Sequence, residues 1–270
     1  MVPRVRDTRI LSYEPLISPT ALLEELPLGD ARAAVVERSR DEARAVLDGA
    51  DDRLLVVAGP CSVHDPAAAL DYACQLAGLR DQFSSDLLIV MRVYFDKPRT
   101  VTGWKGLIND PGMDGSHDVH RGLRLARRLL LDAVRLGLPV GCEWLDPITP
   151  RYIADTVSWG AIGARTTESQ VHRQMASGLS MPVGFKNGTD GDVQVAVDAC
   201  RAARAGHTFF GVTPAGAAAV ATTAGNPDTH VILRGGRSGP NYPAHPCYEG
   251  PRPHRRRRAA PSGDGGRQSR

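Results

Sequence analysis

Six short, almost wholly apolar runs punctuate the first 242 residues: Leu54 to Ala58, Leu87 to Met91, Leu138 to Cys142, Ala161 to Ala164, Val183 to Phe185 and Val231 to Leu233. Apolar runs of this length predict strands buried on both faces, the habit of a parallel sheet. Helix-like stretches separate them: Pro66 to Asp81, Asp118 to Arg135, Pro150 to Ser158 and Val193 to Arg204. In the second of these, Leu123, Ala126, Leu130 and Val134 recur at helical steps while Arg and Asp take the other face. Strand then helix, repeated, means parallel crossovers. One further pair, Thr208 to Thr213 and Ala217 to Thr223, reads as an inserted hairpin whose turn holds Pro214 and Gly216.

Composition divides the chain. Of its 270 residues, 42% are hydrophobic and 23% charged, as in an ordinary globular protein. The formal charge of +3 is unevenly spread. From Pro243 to Arg270 there are seven arginines against Glu249 and Asp264, so the whole positive balance sits there and the body is slightly acidic. That segment has no Leu, Ile, Val, Met or Phe and is expected to be disordered, with Arg255 to Arg258 as a solvated run and no nucleic-acid partner. No stretch nears the roughly 20 apolar residues that cross a bilayer, and Met1 to Tyr13 lacks the apolar centre of a signal peptide. A cytoplasmic protein without a membrane partner is expected. Five scattered cysteines suggest neither a disulfide framework nor a zinc ribbon.

No glycine-rich nucleotide cradle follows any strand. Reactive and cationic side chains do. The strand ends read Gly59-Pro60-Cys61-Ser62, Met91-Arg92, Cys142-Glu143, Ala164-Arg165, Phe185-Lys186 and Leu233-Arg234. In a barrel such ends converge on one mouth. Four long cations there repel one another unless an anion neutralises them, and the arginine fork suits carboxylate and phosphate. The implied ligand is a small molecule with more than one anionic group. Lys97-Pro98-Arg99-Thr100, followed by Gly103-Trp104-Lys105-Gly106, adds a second anion site on a loop. Cys61 is open to three readings: inert hydrophobe, nucleophile paired with His64, or metal ligand. Glu143 suits holding a lysine or a water, and Lys186 suits either electrostatics or a Schiff base.

These blocks, with Gly59 to Asp65, Met91 to Pro111, Gly160 to Ser169, Pro182 to Asp190 and Leu233 to Gly236, resemble class I 3-deoxy-D-arabino-heptulosonate 7-phosphate synthases of the type regulated by aromatic amino acids. The resemblance runs from about Thr8 to Tyr242. It implies a (β/α)8 barrel, here with about six of eight strands, an N-terminal extension over 1–50, a partial barrel over 51–242 and a tail over 243–270. It implies condensation of phosphoenolpyruvate with erythrose 4-phosphate. Arg92, Lys97, Arg165, Lys186 and Arg234, with the Ala164 backbone, would bind phosphoenolpyruvate. Arg99 and Thr100 would hold the second phosphate. Lys186 would be an electrostatic and proton-handling residue without a Schiff base, with Lys97, Glu143 and Cys61 as the other catalytic residues, and Cys61 would be one ligand of a divalent metal of the Mn, Fe, Co or Zn class.

The family's other three metal ligands, a His, a Glu and an Asp, have no matching segment, because His245, Glu249, His254 and Asp264 stand in unrelated contexts. The expectation is a change of reading frame near Pro243 and impaired turnover; an uninterrupted frame in an authentic transcript would refute it. An inactive barrel that still binds phosphoenolpyruvate or an aromatic amino acid is the alternative. By the same resemblance Asp7, Pro150, Arg151, Ser180, Phe209 and Gly211 would form a feedback site in a homodimer or homotetramer. Gly211 favours tyrosine as the inhibitor, by leaving room for a phenol hydroxyl.

Overall fold

The computed structural model describes residues 5–96, 98–99 and 101–242. The tail beyond Tyr242, Lys97 and Thr100 therefore lie outside the described residues. The chain opens with helices α1 (Pro19–Glu25) and α2 (Asp30–Leu47), then alternates: β1 (Leu54–Ala58), α3 (Pro66–Gln82), β2 (Leu87–Arg92), α4 (Val119–Arg135), β3 (Val140–Glu143), α5 (Pro150–Ile153), β4 (Trp159–Ile162), α6 (Gln170–Ser177), β5 (Val183–Lys186), α7 (Gln194–Arg204). The hairpin β6 (Thr208–Val212) and β7 (Ala218–Thr222) precedes the last strand, β8 (Thr229–Ile232).

Local chemistry sets the helix starts. Asp65 accepts from the Ala67 and Ala68 amides at 2.9 and 3.2 Å, with Pro66 in the first turn of α3, and Asp118 accepts from the Arg121 amide ahead of α4. Ser18 and Pro19 start α1 in the same way.

Six strands form one parallel sheet in the order β1-β2-β3-β4-β5-β8, an incomplete (β/α)8 barrel, while β6 and β7 pair antiparallel as a separate ribbon. Among the described residues β1 and β8 are its edges. Helices α3, α4 and α7 pack on its outer face, where Ile89, Met91, Val93 and Phe95 of the second strand and its extension point into the main core. Residues in the opposite phase point inward: Val90, Tyr94, Trp159 and Ala161 form a smaller cluster flanked by Leu55, Val57 and Ile232.

Several boundaries differ from the sequence reading: the third strand starts two residues late, at Val140, and the last starts two residues early, at Thr229, and ends at Ile232. The fourth strand lies two residues earlier than expected, so Ala164 and Arg165 sit in a turn beyond it. The stretch Pro150 to Ser158 is one short helix followed by a 3-10 turn at Ala154–Thr156, and it then extends, because Ser158 already donates its amide to the Val140 carbonyl at 2.9 Å in the sheet.

The N-terminal segment is held by arginines. Arg127, fully buried on α4, donates to the Leu26 and Tyr152 carbonyls and forks onto both oxygens of Asp155 at 2.7 and 2.8 Å. Arg40 of α2 donates to the Val157 and Ala154 carbonyls, and Arg44 pairs with Asp228 at 2.8 Å.

Candidate active site

At the carboxyl end of the sheet, Arg92, Glu143 and Lys186 are the last residues of β2, β3 and β5. All three share the inward phase, with Arg92 level with Gly141 and Glu143 level with Ala161. Small inward neighbours make room for them. A Cβ on Gly163 would lie 3.4 Å from Glu143 Oε1, and one on Gly59 would lie 2.4 Å from the Arg92 carbonyl oxygen.

Lys186 Nζ donates to Glu143 Oε1 in a very short contact between side chains that are 24% and 8% exposed. Arg92 turns the other way and donates from Nε and a terminal nitrogen to the Gly59 carbonyl at 3.0 and 2.6 Å. Thr167, wholly buried, donates to the Lys186 carbonyl at 2.6 Å and so ties the Ala164 to Thr167 turn to the end of β5. Arg165 is exposed on that turn and reaches the Pro98 carbonyl at 3.4 Å, which bridges the two loops expected to bind anions.

Arg234 follows β8 on a loop fixed by two amides. Asn187 accepts from the Arg234 amide at 2.8 Å and donates to the Gly235 carbonyl, while Asn241 accepts from the Gly235 amide and donates to Asn187. Arg99 donates to the Trp104 carbonyl at 2.7 Å, and Trp104 donates to the Asp110 carbonyl, which folds the glycine-rich loop back on itself. Arg99 and Lys105 line a cavity of about 540 Å³ together with Asp96, Asn109 and Asp146. Burial, with Asp146 and Glu143 nearby, pushes the Asp96 carboxyl up to about 7, and its Oδ1 has no hydrogen-bond partner.

Cys61 and His64 are both exposed and share no hydrogen bond, so the nucleophile pairing is not assembled. Among the described residues no three His, Cys, Asp or Glu side chains converge to hold a metal ion. Cys61 alone does not fit a divalent cation, which needs several donors. Cys142, buried in β3, donates to the Val93 carbonyl at 3.2 Å, and burial raises its thiol pKa; it is structural.

Of the six residues expected at a feedback site, Pro150, Arg151, Ser180 and Phe209 line one groove of about 670 Å³ between α5, α6 and the hairpin. Gly211 lies on β6 outside that lining, where an added Cβ would touch the Ala221 side chain at 3.2 Å. Asp7 stands apart in an exposed N-terminal turn with Arg6 and Tyr13. The hairpin tip joins α1, where Thr20 donates both its amide and its hydroxyl to the Pro214 carbonyl at 2.9 Å.

Tyr94, Asp96, Thr167, Asn187 and Asn241 escaped the sequence reading. Tyr94 and Asp96 carried a usable signal, since they continue the inward phase of Val90 and Arg92. The others sit in loops without periodicity.

The family model described as the DAHP synthetase I family matches residues 32–247. Over 236 residues the chain is 60% identical to a phospho-2-dehydro-3-deoxyheptonate aldolase of Corynebacterium glutamicum, an alignment covering 87% of this chain and 64% of that one. The Phe-sensitive enzyme of that name from Escherichia coli is 58% identical over 238 residues, with 88% and 68% covered, and the Tyr-sensitive one 55% identical, with 88% and 67% covered. A solved phospho-2-dehydro-3-deoxyheptonate aldolase from Francisella tularensis superposes with a TM-score of 0.86 at 53% identity, covering 88% of this chain and 70% of that one. The chain thus spans about two thirds of the length of the curated relatives it matches. A parallel sheet that carries Arg92, Glu143 and Lys186 at one end, matched along four fifths of its length, places this chain in the DAHP synthetase I family.

Proposed function

We propose that this chain binds phosphoenolpyruvate at the carboxyl end of its sheet and erythrose 4-phosphate in the adjoining loop cavity, the substrates of 3-deoxy-7-phosphoheptulonate synthesis (EC 2.5.1.54). The observation that carries the reading is the convergence of Arg92, the Glu143–Lys186 pair and the Arg165 and Arg234 loops at one end of a family barrel. Fixed cations in a partly desolvated mouth bind a dianion far better than solvated ones do, because their orientation costs nothing at the moment of binding.

In the proposed reaction, C3 of phosphoenolpyruvate attacks the aldehyde carbon of erythrose 4-phosphate, forming the new C–C bond. Water adds to the resulting cationic C2, and the C2–O bond to phosphate breaks, releasing inorganic phosphate. Arg92, Arg165, Lys186 and Arg234, with the Ala164 backbone, hold the carboxylate and phosphate. The Lys186–Glu143 pair suits proton transfer, with Lys186 giving a proton toward the leaving oxygen or the aldehyde oxygen and Glu143 receiving one from water. By their sequence positions, Lys97 is assigned to phosphoenolpyruvate beside these residues, and Arg99 and Thr100 to the second phosphate. No step is routed through a metal, since Cys61 has no convergent partners among the described residues.

Two finer proposals accompany this one. Turnover lags far behind binding, because among the described residues no group of His, Cys, Asp and Glu side chains completes a metal site around Cys61. The groove beside the hairpin takes an aromatic amino acid in a homodimeric or homotetrameric assembly; tyrosine is the inhibitor that the sequence favours, although Gly211 itself lies outside the groove lining.

Calorimetric titration with phosphoenolpyruvate, alongside a phosphate-release assay with both substrates and added Mn²⁺, tests the whole. Binding lost in Arg92→Ala with little or no phosphate release is expected. Absence of phosphoenolpyruvate binding overturns the site, and turnover at rates typical of enzymes overturns the impairment.

A further inference from the structure

Tyr94 lies just past β2, two residues beyond Arg92 in the inward phase, and is 5% exposed. Its ring packs with Val90, Trp159 and Ala161 at the floor of the mouth. The Arg92 guanidinium carbon stands 5.6 Å from the ring centroid, and Lys186 Nζ stands 5.5 Å from it. Both distances lie within the roughly 6 Å over which an aromatic quadrupole attracts a cation. Two cations from different strands thus meet on one buried ring.

The carboxylate supply here is unequal. Lys186 has Glu143, whereas among the described residues Arg92 donates only to the neutral Gly59 carbonyl. A second carboxylate beside Arg92 would fix it equally well, yet would cancel the charge that an anion must meet. An aromatic ring offers partial compensation without a formal negative charge, so it orders the cations and leaves the mouth electropositive.

We propose that Tyr94 is a positioning residue for the anionic substrate, its ring serving as a common brace that holds Arg92 and Lys186 in binding geometry before the anion arrives. The inference rests on the phosphoenolpyruvate reading above. It assigns the function to the ring, so that ring electron density, and not side-chain volume, sets the affinity.

Replacement of Tyr94 by phenylalanine and then by mono-, di- and trifluorinated phenylalanines withdraws that density stepwise at almost constant size. Calorimetric titration of the full chain with phosphoenolpyruvate is expected to show affinity falling monotonically with fluorine count, by roughly three- to tenfold across the series. Tyr94→Leu should fall at least as far. Thermal unfolding followed in parallel on the same variants is expected to change little along the fluorinated set, which separates the brace from packing. Affinity that stays flat across the series, in a parent chain that binds phosphoenolpyruvate, overturns the brace alone. A parent chain that fails to bind overturns the functional reading and the brace together.

Discussion

Lys186 and Glu143 form a pair whose removal by halves has a definite cost. Taking away one partner of a largely buried ion pair strands the other charge, at about 3 kcal/mol. Lys186→Met is therefore expected to lower the urea-unfolding free energy by about that amount, and adding Glu143→Leu should restore most of it. A double variant as unstable as the single would show that the loss came from packing. His230 supplies a second prediction at this scale. It accepts from Trp159 Nε1 at 3.2 Å, its Nδ1 has no partner, and burial lowers its pKa to about 4 from an ordinary 6.5. The unfolded chain takes up a proton that the folded one refuses. Stability from this group is therefore present above about pH 6.5 and is lost as pH falls toward 4, with a slope approaching 1.4 kcal/mol per pH unit. His230→Gln should flatten that part of the curve, as followed by chemical unfolding at pH 4.5, 5.5 and 7. Residue chemistry of this kind was only half legible in sequence. The cations were conspicuous after apolar runs, but Tyr94 reads as one more core aromatic, and only strand pairing shows which charges it meets.

At the scale of elements, the anchorage of the N-terminal helices by Arg127 is open to direct test. Arg127→Met removes four donated hydrogen bonds and leaves Asp155 and two carbonyls without their donor. A loss of about 3 to 5 kcal/mol is expected, with α1 becoming the first site of limited proteolysis. Cleavage that begins elsewhere would count against this anchorage. Gly106→Ala tests the loop over the mouth. Its φ is 131°, and a Cβ would fall 1.9 Å from the Phe95 carbonyl, so the Asp96–Gly106 bridge must open and the Arg99 loop must shift. Fluorescence of Trp104 should report that shift. All six parallel strands and the hairpin were readable from the sequence, because runs such as Leu87 to Met91 have no other home than a sheet covered on both faces. Helix α2 was missed because its buried positions, Val36, Ser39 and Ala43, are few and small among charges. The loops carrying Asn187 and Asn241 have no period to read, since the hydrogen bonds that tie them to the Arg234 loop join positions 6 to 54 residues apart.

For the molecule as a whole, the edges of the sheet govern behaviour in solution. Among the described residues β1 and β8 each pair on one side only, and Leu54 at the start of β1 is 65% exposed. An apolar strand edge of this kind recruits other strands. Association that rises with protein concentration is expected in sedimentation velocity, reduced by Leu54→Lys; an unchanged profile in that variant would move the association to another surface. The overall connectivity has a temporal consequence too. Thr20 meets Pro214 across 194 residues, and Arg44 meets Asp228 across 184. At roughly 5 to 20 residues per second, a ribosome takes on the order of 10 to 40 s to deliver those partners after α1 and α2 have emerged. Helices α1 and α2 thus dock in two stages: against α4 and the 150–157 stretch once Arg127, Ala154 and Val157 are made, and against the hairpin tip and Asp228 only after the later segments arrive.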